Sequence, residues 1–291
     1  MDPRSIVLAI GLSSLASALL LGAGRFWSRR RDGQPASDVA PTSRWRCLAV
    51  GVGVIVGYVL LVDANILAPD TTYYTFYLTL VGLLVGVLPG QGFWKSRWRW
   101  ILLAPLGVLA LALMLVPSLS SGWSPEQSLT RILPLSLALL AGWWLIDRLA
   151  WRGGDLSVIL GWLVVALGHA VAQILSGSIM LGLIALAFVG PLAALAVIPP
   201  RRIGPESLFL VLIPQIVLLG NGYCYSEMPL ASMVCLELAW LTPWVARLPW
   251  LNRRPAWVRC LATVLVAAIL VGASVGLAWS TMPADDPYSM E

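Results

Sequence analysis

The chain has 291 residues, of which 59% are hydrophobic and only 11% charged, with a formal net charge of +5. Soluble domains carry about 25% charged residues, so the composition excludes an ordinary soluble enzyme, and no stretch is long and polar enough to fold as a separate soluble domain. With one histidine it also excludes, within a single chain, an HExxH zinc site and bis-histidine haem ligation; Walker A, strand-linked GxGxxG and DDxxD-type motifs are missing.

Taken in chain order, the uncharged runs predict an all-α, polytopic integral membrane helix bundle with about ten transmembrane helices, forming a single domain over residues 1–291. The 20 uncharged residues between Arg4 and Arg25 match the length needed to cross a hydrocarbon core about 30 Å thick, and predict a helix near 5–25. The run has no small-x-small cleavage site and leads into Arg25 and Arg29-Arg30-Arg31, the flank of a retained helix rather than a signal peptide. A second helix, near 47–67, is opened by SRWRC and ends in YVLLVDANIL, where Asp63 and Asn65 interrupt an apolar run. The 24 uncharged residues between Asp70 and Lys95 hold a third, near 73–88. SRWRW opens a fourth, near 100–117, and a fifth follows near 131–147.

From Leu156 to Pro200 there are 45 residues without a charge, too many for one crossing. Ser176-Gly177-Ser178 is the expected turn, which divides the run into helices near 156–175 and 179–198. His169 and Gln173 are four apart and so share one helix face with Trp162, Ala166 and Ser176. The next helix, near 207–223, carries Pro214 and Gln215, and Gly220-Asn221-Gly222 is expected to break or end it. Helices near 230–247, with Glu237, and near 260–279, opened by PAWVRC, complete the set. Most loops are short, so consecutive helices are expected to run antiparallel. Gly53-x-x-x-Gly57, Gly82-x-x-x-Gly86 and Gly272-x-x-x-Gly276 each put two glycines on one face, where backbones can approach closely.

Charge sets the expected orientation. The loops after the odd-numbered expected helices carry Arg29–Arg31, Arg44, Arg46, Lys95, Arg97, Arg99, Arg148, Arg152, Arg201, Arg202, Arg253, Arg254 and Arg259. With Arg25 and Arg247 at helix ends, that side holds 17 of the 19 Lys and Arg. Cytoplasmic loops attract Lys and Arg, so both termini are expected on the non-cytoplasmic side. Trp27, Trp94, Trp98, Trp250 and Trp257 gather at the basic edge and Tyr73, Tyr74 and Tyr77 at the other, as amphipathic rings do at headgroup level. One Lys against 18 Arg suggests a GC-rich bacterial genome, hence a multi-pass protein of the bacterial cytoplasmic (inner) membrane. The basic charge faces anionic lipid headgroups, not nucleic acid.

Ionisable residues inside a span are rare and usually face a bundle interior or water. Counting inward puts Asp63 about 5 Å, His169 about 10 Å and Glu237 about 10–12 Å below the outer edge. Asp63, Asn65, His169, Gln173, Asn221 and Glu237 therefore form a candidate polar layer in the outward half, with Gln215 nearer the middle. His169 is the basic side chain at a depth matching Glu237 and hence its candidate partner. Gly272-Ala273-Ser274-Val275-Gly276 is a GxSxG match, but it lies inside a helix. Rhomboid-type intramembrane proteases pair an embedded Ser with a His, in the opposite chain order from Ser274 and His169. Packing is the preferred reading for Ser274, and no catalytic residue, metal site or cofactor is expected. Cys224 and Cys235 lie near one membrane face, where they are expected as buried thiols, with pairing the alternative.

The expected function is a small transporter or permease-like protein whose outer polar cavity binds solute or protons through Glu237 and His169. Alternatives are a non-catalytic membrane subunit of a larger complex, and an intramembrane enzyme acting on lipid or peptide. The expected partners are membrane lipids and, on the subunit reading, other membrane chains.

Overall fold

The computed structural model describes residues 3–32, 43–62, 71–87, 155–199, 203–226 and 228–281, together with single positions between 101 and 148. Among the described residues the regular elements are all helices. They are α1 (Pro3–Asp32), α2 (Ser43–Leu61), α3 (Thr71–Val87), α4 (Leu156–Leu175), α5 (Ile179–Leu186) and α6 (Val189–Val197). There follow α7 (Pro205–Tyr225), α8 (Leu230–Trp240), a 3-10 helix (Thr242–Arg247), α9 (Pro249–Asn252) and α10 (Ala256–Ser280). Among the described residues, five segments are long and apolar enough to cross a membrane: Pro3–Trp27, Arg44–Leu61, Leu156–Leu175, Ile179–Val197 and Ala256–Ser280. Two shorter apolar helices, Tyr74–Val87 and Leu210–Tyr225, accompany them. The expected spans near 100–117 and 131–147 fall mostly outside the described residues, as do Asp63 and Asn65.

Local chemistry explains the boundaries of α4. Asp155 caps its start, its carboxylate accepting from the Ser157 N–H at 3.2 Å. The helix ends at the expected turn. Gly177 takes φ 90°, while the Ser178 N–H donates to Gln173 O at 3.0 Å and the Gly177 N–H to Ile174 O at 3.1 Å. That paired closure is the Schellman arrangement, which needs a residue free to enter the left-handed region. Ser178 then caps α5, its hydroxyl accepting from the Leu181 N–H. A three-residue turn thus reverses the chain.

Contacts between helices give their directions. Ser17 Oγ donates to Ala49 O at 2.8 Å and Gly24 lies against Trp45, so α1 and α2 are antiparallel. Gly51 lies against Leu83 while Tyr58 stacks on Phe76 with ring centroids 4.9 Å apart, so α2 and α3 are antiparallel too. Gly53 meets Pro191 and Gly57 meets Ala187, turning the α5–α6 segment against α2. By contrast, Gly161 beside Thr263 and Gly168 beside Val271 make α4 and α10 parallel.

The span near 179–198 is present as Ile179–Val197, with a turn at Ala187–Phe188, because Pro191 has no N–H to return to the Ala187 carbonyl. Two other expectations need correction. The span near 230–247 is α-helical only to Trp240 and continues as 3-10 helix. Pro243 cannot serve the Ala239 carbonyl, and the Thr242 hydroxyl donates to it instead, at 2.8 Å. Gly220-Asn221-Gly222 does not break its helix, since α7 runs on to Tyr225. The glycine pairs also divide. Gly53 and Gly57 pack against neighbouring helices as expected, whereas a Cβ on Gly272 or Gly276 would meet nothing within 4 Å.

Candidate functional site

Two helices define the site, α4 and α7. Every residue of α7 from Leu210 to Gly222 is buried, and α4 buries Trp162, Ala166, His169 and Gln173, the face that their spacing predicts. Trp162 anchors the near end. Its indole N–H donates to Trp240 O at 3.3 Å, and the two rings meet edge to face at 5.5 Å. Further along, His169 and Gln173 turn toward α7.

His169 Nδ1 lies 2.6 Å from Gln215 Oε1, and His169 Nε2 lies 3.1 Å from Gln173 Nε2. Gln173 Nε2 also donates to Leu218 O at 2.8 Å. A backbone carbonyl accepts only, so it orients the Gln173 amide with its NH2 toward α7. The second N–H of that NH2 then donates to His169 Nε2, which must be the bare nitrogen. The ring proton therefore sits on Nδ1 and is donated to Gln215 Oε1. One carbonyl thus sets the direction of the whole chain, and His169 is a neutral imidazole within it. The pairing 169 with 215 and 173 with 218 also makes α4 and α7 parallel.

The chain ends in unmatched atoms. Gln173 Oε1, Gln215 Nε2, and both Asn221 Oδ1 and Nδ2 are buried without a hydrogen-bond partner among the described residues. Gln215, Leu218 and Gly222 form one stripe of α7, with Asn221 a quarter turn aside on the Pro214 flank. Gly222 is what lets the Gln173 amide lie against this stripe, because a Cβ there would fall 2.5 Å from Gln173 Oε1. Thr75 joins the same depth. Tyr58 beside Phe76, Gly57 beside Ala187 and Gly182 beside the Ala170 carbonyl relate α3 to α4 through α2 and α5, bringing Thr75 level with His169. The Thr75 hydroxyl is likewise buried with no partner.

The structure thus brings together His169 and Gln173 and adds Gln215; Asn221 follows next to Gly222 on the adjoining flank of α7, and Thr75 shares only their depth. The sequence places Gln215 nearer the middle of the bundle, and nothing in the linear order singles out Thr75. Glu237 is not the partner of His169, whose two ring nitrogens are both taken by glutamines. α8 runs against α4 with Trp240 beside Trp162, so Glu237 stands level with Val165–Ala166, about 5 Å along the bundle from His169. It lies at the border between the buried face of α8 (Leu236, Ala239) and the exposed one (Val234, Leu238). Its Oε1 is covered and without a partner. Asp63 and Asn65 belong to the expected layer but lie outside the described residues.

Ser274 is not hydrogen-bonded to His169, whose ring nitrogens are taken by Gln215 and Gln173. Its hydroxyl lies 2.7 Å from that of Ser232, which also donates to Ser274 O at 3.0 Å, and both residues are fully buried. The pair joins α8 to α10 as a packing contact. Cys224 and Cys235 are not joined in a disulfide.

No family model matches the chain, and no curated protein sequence matches it significantly.

Proposed function

We propose that this chain is a small permease-like protein of a bacterial cytoplasmic membrane, with its termini outward, and that the polar groups between α4 and α7 are its solute site. The observation that carries the reading is the unmatched ends of the His169–Gln173–Gln215 chain. A buried polar group left unpaired costs about 1–3 kcal/mol, so Gln173 Oε1, Gln215 Nε2 and the two Asn221 atoms together cost roughly 4–12 kcal/mol. That is comparable to the whole stability of an ordinary domain, about 5–15 kcal/mol. An exchangeable polar occupant offsets it. Interrupted helices are common where carriers bind their solutes, and here they are the α5–α6 turn and the change from α8 to 3-10 helix.

The test is uptake of a panel of labelled small solutes, neutral and charged, into proteoliposomes. At least one enters faster than into protein-free vesicles, and Gln215→Leu slows it. Entry of every solute at the protein-free rate refutes the reading.

One observation favours the alternative of a non-catalytic subunit. Ala268, Gly272 and Gly276 form an exposed stripe of small residues on α10, the kind of surface against which another membrane helix packs. Recovery of a stoichiometric second membrane chain on mild detergent purification, lost in Gly272→Leu, would move that reading ahead.

A further inference from the structure

We infer that the site between α4 and α7 takes an uncharged solute that both donates and accepts hydrogen bonds, a small carboxamide or polyhydroxylated molecule, rather than an ion or a proton. The inference rests on the permease reading and narrows it.

The first ground is the pattern of free valences. Orientation of the Gln173 amide by Leu218 O leaves an acceptor at one end of the chain, Gln173 Oε1, and a donor at the other, Gln215 Nε2. Asn221, on the adjoining flank of α7, adds one of each. A cation would satisfy the oxygens and face the NH2 groups with the wrong sign. An anion would do the reverse. An uncharged molecule carrying both a carbonyl or hydroxyl oxygen and an N–H or O–H can bond at either end without meeting a charge of the wrong sign.

The second ground is the absence of formal charge in the network. His169 is neutral in this hydrogen-bond arrangement, and the other members are amides and a backbone carbonyl. All the side chains are at most 1% exposed. Moving an ion from water into such surroundings costs several kcal/mol even after relaxation; a neutral polar molecule costs far less and recovers it through matched bonds. Glu237, the carboxylate of the expected layer that lies among the described residues, is displaced by about 5 Å and stands at the border between the buried and exposed faces of α8.

The third ground is that protonation is blocked at both nitrogens. Nδ1 already carries its proton, and a second proton on Nε2 would confront the Gln173 NH2, which Leu218 O holds in place. Proton carriage through His169 would require breaking that bond first.

The experiment uses the full-length protein and two isosteric probe pairs, urea with guanidinium and formamide with formate. Influx into proteoliposomes is read alongside the thermal stability of the purified protein with acetamide or glycerol, compared with Gln215→Leu. Urea and formamide enter faster than into protein-free vesicles, their charged counterparts do not, and acetamide or glycerol stabilises wild type more than Gln215→Leu. Gln215→Leu and Asn221→Leu lower urea influx by about tenfold each, the equivalent of one lost buried hydrogen bond. Entry of guanidinium or formate in preference to urea and formamide overturns the inference and leaves a permease. Stabilisation by acetamide or glycerol without flux of any solute upholds the uncharged-ligand site and overturns the permease. Neither flux nor stabilisation with any neutral probe overturns the inference.

Discussion

Gly222→Ala tests the arrangement of the site most directly. A methyl group at this position would fall 2.5 Å from Gln173 Oε1 and 2.8 Å from Gln173 Cδ, so the carboxamide must leave. Leaving breaks its bonds to Leu218 O and His169 Nε2. At about 1–3 kcal/mol for each buried bond lost, the variant loses about 2–6 kcal/mol. Replacing Gly by Ala within a helix returns about 1 kcal/mol, leaving a net loss of about 1–5 kcal/mol. The measurement is reversible unfolding in mixed micelles, followed by tryptophan fluorescence, in wild-type and Gln173→Ala backgrounds. With the long side chain gone, the methyl group has room, and Gly222→Ala becomes neutral or stabilising by up to about 1 kcal/mol. The two changes should therefore couple strongly. An equal cost in both backgrounds would refute the idea that Gly222 exists to admit the Gln173 amide.

The remaining expectations use the same logic elsewhere. At Gly53 a Cβ would collide with Ser17 Oγ and lie 2.7 Å from Pro191 Cγ, so Gly53→Ala destabilises by about 1–3 kcal/mol or more. At Gly272, where nothing lies within 4 Å, Gly272→Ala is neutral or gains up to about 1 kcal/mol in the same unfolding assay. Ser274→Ala loses the contact with Ser232 Oγ and costs about 0.5–1.5 kcal/mol. Wild type takes no label from a fluorophosphonate, and labelling abolished by both Ser274→Ala and His169→Gln would establish the dyad that the packing reading denies. In a background free of native Cys, Asp2→Cys and Asp286→Cys react with impermeant thiol reagents on intact cells while Gln34→Cys does not; labelling at Gln34 from outside reverses the orientation.

What was legible in the sequence follows from how local the cause was. The bounds of α4 could be read because Asp155, Gly177 and Ser178 act on the adjacent backbone. The pairing of His169 and Gln173 on one buried face needed only the helical repeat. The misread features all had causes outside their own segment. Gly220-Asn221-Gly222 looks like a breaker, yet burial of α7 on all sides holds it helical, and one glycine gives room to a side chain of α4. Glu237 and His169 were matched by counting from the ends of their own helices, but the Trp162–Trp240 contact sets the actual offset. Gln215 was set apart by the same counting, since nothing in the linear order tells how far one helix slides past a neighbour.

The burial of α7 has a consequence for how the protein is made. A segment with Pro214, Gln215 and Asn221 in its middle is a poor substrate for insertion on its own, because amide side chains facing lipid have no partners there. In the folded chain it faces lipid hardly at all, and Leu218 O and Gln215 Oε1 find their donors on α4. Since α4, α5 and α6 precede it in synthesis, those helices are already in the bilayer when α7 emerges, and they offer it a polar seam rather than bare hydrocarbon. Biogenesis is then sequential by necessity: a chain beginning at Pro205 should fail to integrate, while the same helix supplied after Leu156–Val197 should enter.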